Sequence, residues 1–242
     1  MAELFDEWRS AVDSRDQKLI LTLGIPYVPT TTSTFNLYDS NKSLTVADFP
    51  VGAIQKNFDW VHMVSFDYFV PKKDKFTHPH AALYDHHNPH INTDYGLDQW
   101  ISKGLAVNKI LIGLPYHGWA WTLVNPKDNR VGAEASGPAT EFSPDGSMSY
   151  KSIKDCVKSY EAKIVYNSDS VENSCSFGSV WVAFDDVEVI RRKVSYARKK
   201  GLGGYSVFQV LNDDNWILSE TAAERAGENQ LNKRLLSSPA SA

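Results

Sequence analysis

An aspartate closes the apolar stretch WVHMVSFDYF, Trp60 to Phe69, with aromatic residues on both sides of it. Asp67 has no packing reason to stand there, and strand ends in α/β folds are where polar chemistry is placed. It reads either as a site carboxylate or as a loop aspartate capping the next segment. A second candidate is PYHGWAW, Pro115 to Trp121, which sets Tyr116, Trp119 and Trp121 beyond another apolar run. Flat aromatic faces stack on the C–H faces of sugar rings, whereas a core more usually carries Leu, Ile and Val. The alternative is a set of aromatics covering the end of a barrel. Histidines recur between His78 and His90. They form neither an i, i+4 helical pair nor an H-E-x-x-H arrangement, so the stretch reads as a solvated loop, and no metal ligand or cofactor is assigned. Cys156 and Cys175 could close a loop of about twenty residues, worth roughly 3 kcal/mol if bridged, or stand as two buried thiols.

The elements that would position these residues follow from periodicity. Leu4, Phe5, Trp8, Ala11 and Val12 have the one-sided spacing of an amphipathic helix that should pack on a sheet. Leu19–Ile25, the Trp60 run, Lys109–Leu114 and Gly203–Val210 are short and apolar, as expected of strands buried on both faces. A loop rich in Thr, Ser and Asn, holding the sequon Asn41-Lys42-Ser43, precedes a short helical segment within Val46 to Phe58. Tyr95–Leu105 reads as a helix ending near Gly104, where glycine is the usual cap. From Thr122 to Val180 short segments are punctuated by Pro, Gly, Ser and Asn, which suggests an α+β insertion. WVAFDD, a basic helix from Asp186 to Lys200, and a helix capped by Asp213-Asp214-Asn215 complete the order.

Composition excludes some functions. With 242 residues, 42% of them hydrophobic, the chain can bury a full core. A net charge of −4 without a long basic run argues against nucleic acid as the main partner. No apolar run approaches membrane-spanning length, and MAELFDEWRS lacks the basic and apolar parts of a signal peptide.

Several collinear segments together make a family recognisable. From about Phe5 to Ala226 the chain resembles the plant class V chitinases of glycoside hydrolase family 18. Glu7-Trp8-Arg9 is similar to that family's E-W-R helix before strand five. Val64-Ser65-Phe66-Asp67 is similar to its strand-six M-x-Y-D, and Gly113 to Trp121 to its strand-seven G-x-P-Y-Y-G-Y-A-W. The SPDG segment at Ser143, VYNS at Val165, Trp181 to Asp186, Gly204 to Val210 and Asp213 to Asn215 match in the same order.

The resemblance implies an α/β fold, a partial (β/α)8 TIM barrel comprising the family's strands five to eight. Residues 1–121 and 181–226 would form the barrel part, 122–180 an α+β insertion subdomain, and 227–242 a flexible tail. It implies a cleft for β-1,4-linked N-acetylglucosamine, with Phe66, Asp67, Tyr116, Trp119, Trp121 and Phe208 as glycan-binding residues. It also implies an extracellular or vacuolar setting. Family enzymes hydrolyse chitin by substrate-assisted catalysis, with a glutamate that ends D-x-x-D-x-D-x-E protonating the glycosidic oxygen. No such motif occurs in these 242 residues. Phe66 stands where the family has the tyrosine that holds the reacting acetamide, Val64 replaces a methionine, and Phe208 replaces the tryptophan that floors the central subsite. No catalytic residue is therefore assigned.

Two functions follow. One is a chitinase-like, lectin-like protein that binds chitooligosaccharides without hydrolysis. The other is a portion of an active class V chitinase or of a chitinase-like receptor ectodomain. A half-barrel would expose two strand edges, so a homodimer or another partner covering the open side is expected.

Overall fold

The computed structural model describes residues 1–17, 19–31 and 47–237, with side chains except at 31, 47 and 228–237. The sequon and the polar loop around it lie outside the described residues. In chain order the elements are α1 (Ala2–Asp13), β1 (Thr22–Ile25), β2 (Thr30–Thr31), β3 (Ala47–Asp48), α2 (Val51–Asn57) and β4 (Trp60–Met63). Then come α3 (Thr93–Ser102), β5 (Ile110–Pro115), β6 (His117–Leu123), β7 (Ala135–Pro138), β8 (Ser147–Ser149) and α4 (Tyr150–Ser159). The chain continues with β9 (Val165–Asn167), β10 (Glu172–Phe177), β11 (Val180–Phe184), α5 (Val187–Lys200), β12 (Gly204–Phe208) and α6 (Ile217–Ser237).

Two sheets organise the molecule. The four apolar runs become β1, β4, β5 and β12, neighbours in that order in one parallel sheet. Helices α2 and α3 connect consecutive strands, as parallel pairing requires. Helix signals work locally. Asn92 Oδ1 accepts from the Tyr95 N–H at 2.9 Å to start α3, and Asp213 accepts from the Leu218 and Ser219 N–H groups to start α6. Gly201, at φ 76°, ends α5 in the left-handed conformation that glycine adopts without strain.

The expectation of strands buried on both faces holds for β5, whose residues are all buried except the half-buried Leu111. It fails for the others. In β4 only Val61 and Met63 are buried, and β12 is half-buried to exposed along its length. Among the described residues β1 and β12 each have one neighbour in this sheet, which accounts for their exposure, whereas β4 has two neighbours and leaves Trp60 and His62 half-buried on one face.

The second sheet is antiparallel, in the order β7-β6-β11-β10-β9, with β8 also on β6. Both β6 and β11 belong to it along their whole length, in the register Trp121↔Trp181. The antiparallel sheet thus runs from His117 to Phe184, beyond the expected 122–180 segment at both ends. Two expectations are corrected. Helix α1 packs on α2 rather than on a sheet, with Phe5 edge-on to Phe58 at 4.9 Å and Trp8 42% exposed. Helix α6 continues to Ser237, so most of the expected tail is helical backbone. Of the two states left open for Cys156 and Cys175, the structure has free thiols.

The long connection from β4 to α3 joins the two sheets. Its Thr77 N–H donates to the Ala133 carbonyl at 2.9 Å, and its Leu83 N–H to the Ser170 carbonyl at 2.8 Å. This connection carries both Asp67 and the histidine-rich stretch.

Candidate functional site

Asp67 follows β4 at φ 60°, a left-handed conformation that aspartate tolerates better than most residues. The turn aims its carboxylate across the end of the sheet toward β6. There Oδ1 accepts from Trp119 Nε1 at 2.7 Å and lies 2.8 Å from His117 Nε2. His80, farther along the connection, brings Nδ1 to 3.5 Å from the same oxygen. The other side of His117 faces the backbone, with Nδ1 3.3 Å from the Phe208 carbonyl oxygen.

The aromatic floor comes from two strands. Phe66 stacks on Phe208 with ring centres 5.7 Å apart and planes 18° from parallel, and meets His117 edge-on at 5.6 Å. Gly113 on β5 makes room for it, because a Cβ there would come within 2.6 Å of the Phe66 ring. Phe208 keeps 55% of its surface exposed.

The structure thus brings Phe66, Asp67, Trp119 and Phe208 together and takes two expected residues away. Tyr116 is 1% exposed within the main core. Trp121 is fully buried against Trp181 at 5.5 Å, with its N–H on the Asp74 carbonyl. Neither can stack on a ligand. The histidine stretch is also not uniformly solvated: His86, His87 and His90 are exposed, whereas His80 is fully buried. Its burial comes from the tertiary fold, since the second sheet closes over it.

Behind His80 lies a buried charged layer that residue types alone did not reveal. Glu172 on β10 accepts from the backbone N–H groups of His80 and Ala81, and its Oε1 lies 3.6 Å from His80 Nε2. Lys193 of α5 donates to Asp185 at 2.6 Å and to the Ala81 carbonyl at 2.6 Å. Burial raises the pKa of both Glu172 and Asp185, with Lys193 opposing it. The layer holds His80 from below. The only sequence trace of these partners was WVAFDD followed by a basic helix.

Burial acts to raise the pKa of Asp67, but the hydrogen bond with His117 and the charge of the His117 and His80 imidazoles beside it outweigh burial and hold the carboxyl well below the usual range. Burial pushes His80 down to about 4. Asp67 is therefore a carboxylate at neutral pH, suited to accept hydrogen bonds or bind a cation. A general acid for glycoside cleavage needs the opposite, a raised pKa.

A parallel sheet with an aromatic floor and a carboxylate at its strand end stands beside an antiparallel sheet, an arrangement that comparison with known proteins assigns to a family. The sequence matches the Glycosyl hydrolases family 18 over residues 1–213, and the chain belongs to that family. It is 36% identical over 226 residues to a class V chitinase of Arabidopsis thaliana, covering 91% of this chain and 56% of that protein. The chain thus spans about half the length of such relatives. Its structure superposes on class V chitinase from Nicotiana tobaccum with a TM-score of 0.86 at 32% identity, covering 93% of this chain and 63% of that one. A mutant of that enzyme has been solved in complex with NAG4. A chitinase-like agglutinin from Robinia pseudoacacia superposes at 0.77 with 28% identity, covering 93% of this chain and 62% of its own.

Proposed function

We propose that this chain binds β-1,4-linked N-acetylglucosamine oligomers at the floor made by Phe66, Asp67, Trp119 and Phe208, without hydrolysing them. The four-stranded parallel sheet is then half of a (β/α)8 barrel, and the antiparallel sheet its insertion. The observation that carries the reading is Asp67 itself: a strand-end carboxylate kept ionised beside an exposed aromatic face. It can accept hydrogen bonds from sugar hydroxyl or acetamide N–H groups while a pyranose face lies on Phe208. The two carboxyls with raised pKa values, Glu172 and Asp185, are 2% and 1% exposed and have no path to a glycosidic oxygen. Phe66 offers no hydroxyl to hold a reacting acetamide. The NAG4 complex of the tobacco enzyme supports the ligand class, and the Robinia agglutinin supports binding as an end in itself.

A second reading treats the chain as part of a hydrolytic class V chitinase or receptor ectodomain, and its coverage of 56% of the Arabidopsis relative favours it. Calorimetric titration with chitohexaose, with chromatography of the same sample for released sugars, separates the two. Saturable binding with intact hexamer is the expected result. Release of shorter oligomers overturns the non-hydrolytic reading, and a folded sample that takes up no sugar overturns the binding one.

A further inference from the structure

We propose that Asp67, His80 and His117 form a site for one divalent transition-metal ion of the zinc type, held by a carboxylate oxygen and one nitrogen of each imidazole. One ligand atom from each residue lies within 4.8 Å of the other two. The argument rests on what the far side of each ring faces.

His117 Nδ1 faces the Phe208 carbonyl oxygen at 3.3 Å, and a carbonyl can only accept. On its other edge Nε2 lies 2.8 Å from Asp67 Oδ1, and the tautomer sets whether that edge gives the carboxylate a proton or a bound ion a lone pair. His80 carries the stronger signal. Its ring is fully buried, and neither nitrogen makes a hydrogen bond. Nδ1 faces Asp67 Oδ1 at 3.5 Å and Nε2 faces Glu172 Oε1 at 3.6 Å. Buried polar atoms without partners are costly and rare, and here Nδ1 points into the space shared with Asp67 and His117.

A bound ion supplies the partner that His80 Nδ1 lacks. It takes His117 Nε2, His80 Nδ1 and Asp67, while His117 Nδ1–H donates to the Phe208 carbonyl and His80 Nε2–H turns to Glu172. This outer pattern, with a carboxylate behind one imidazole and a carbonyl behind the other, is how metal-bound histidines are usually oriented. The Trp119 N–H holds the carboxylate from the side. Two imidazoles and one carboxylate suit Zn²⁺ and its neighbours rather than Mg²⁺ or Ca²⁺. Tetrahedral ligands at about 2.0–2.1 Å stand about 3.3 Å apart, so binding draws the two rings together. The His80 side is closed, but the Asp67 side chain is 35% exposed, which leaves room for an outer ligand.

The test is made without sugar, so its failure and that of the glycan reading are separate. Metal-stripped full chain is titrated with Zn²⁺ by calorimetry and with Co²⁺ by visible absorption. The expected result is one ion per chain, with ligand-field bands of a low-coordinate Co²⁺ that Zn²⁺ abolishes. His117→Phe should remove uptake, and Glu172→Gln should weaken it by about 10–100-fold. A His86→Gln/His87→Gln double variant, altered in the exposed part of the loop, should leave it unchanged. Long-range ¹H–¹⁵N spectra of the unsubstituted protein should show His80 Nδ1 and His117 Nε2 shifting on Zn²⁺ addition. No stoichiometric uptake, uptake lost only in the double variant, or spectra in which both His117 nitrogens stay protonated in the presence of Zn²⁺ would each overturn the proposal.

Discussion

Phe208 offers the cleft an open ring face of its own, and Phe66 supports it from behind. Removing the ring by Phe208→Ala should weaken chitohexaose binding about tenfold, a loss of ~1.4 kcal/mol, measured by the same calorimetry. An unchanged affinity would move the sugar elsewhere. Residue type and motif order nominate Phe66, Asp67, Tyr116, Trp119, Trp121 and Phe208 alike, and folding gathers four of them while burying Tyr116 and Trp121. Trp119 and Trp121 stand two apart on β6 and so share a face, but Trp121 is buried inside the cluster with Trp181 and Ala133 while Trp119 packs at its edge and stays half-buried. Spacing along a strand cannot report cover that arrives from distant segments.

Asp59 and Lys193 show how elements are tied together. Asp59 Oδ2 accepts from the Leu21 N–H at 2.7 Å and from Arg9 of α1 at 2.9 Å, while Arg9 Nε donates to the Asn57 carbonyl at 2.8 Å. The Leu21 N–H and Arg9 lower the Asp59 pKa from 3.8. A carboxyl depressed in the folded state adds stability above its unfolded pKa and loses it as pH falls through the folded value. Asp59→Asn should therefore cost about 1 kcal/mol at neutral pH, allowing for partial exposure, with the gap to the native protein narrowing below about pH 4 in denaturant titrations. Lys193 is 3% exposed and neutralises the fully buried Asp185. Lys193→Met leaves that charge without a partner and should destabilise by about 3–5 kcal/mol, seen as a lower Tm. The strands and helices themselves were largely readable, because apolar runs, caps and glycine stops act over a few residues. The assignment of β6 and β11 to a separate sheet was not, because strand partners are chosen across long stretches of chain.

At the scale of the whole molecule, the parallel sheet ends in β1 on one side and β12 on the other, each paired with one strand among the described residues. Val210, Leu211, Trp216 and Ile217 near the β12 end are 46%, 89%, 61% and 39% exposed. Open edges beside apolar surface favour pairing with another chain. The 242-residue chain by itself should therefore self-associate at micromolar concentration in sedimentation velocity runs. A monodisperse monomer that unfolds cooperatively would contradict this.

Family membership, the four parallel strands, the helix caps and the ionisable residue at the strand end were all determined by local pattern. Each depends on periodicity or on side-chain types a few positions apart, which are properties of the chain before it folds. Tertiary structure decided which aromatics remain open, that the two thiols stand unbridged, and that one histidine of a polar loop is sealed beside another from β6. Asp67 and His117 lie 50 residues apart and His80 and Glu172 lie 92 apart. Only folding of the two sheets onto each other sets their separation, and with it the field that keeps Asp67 ionised.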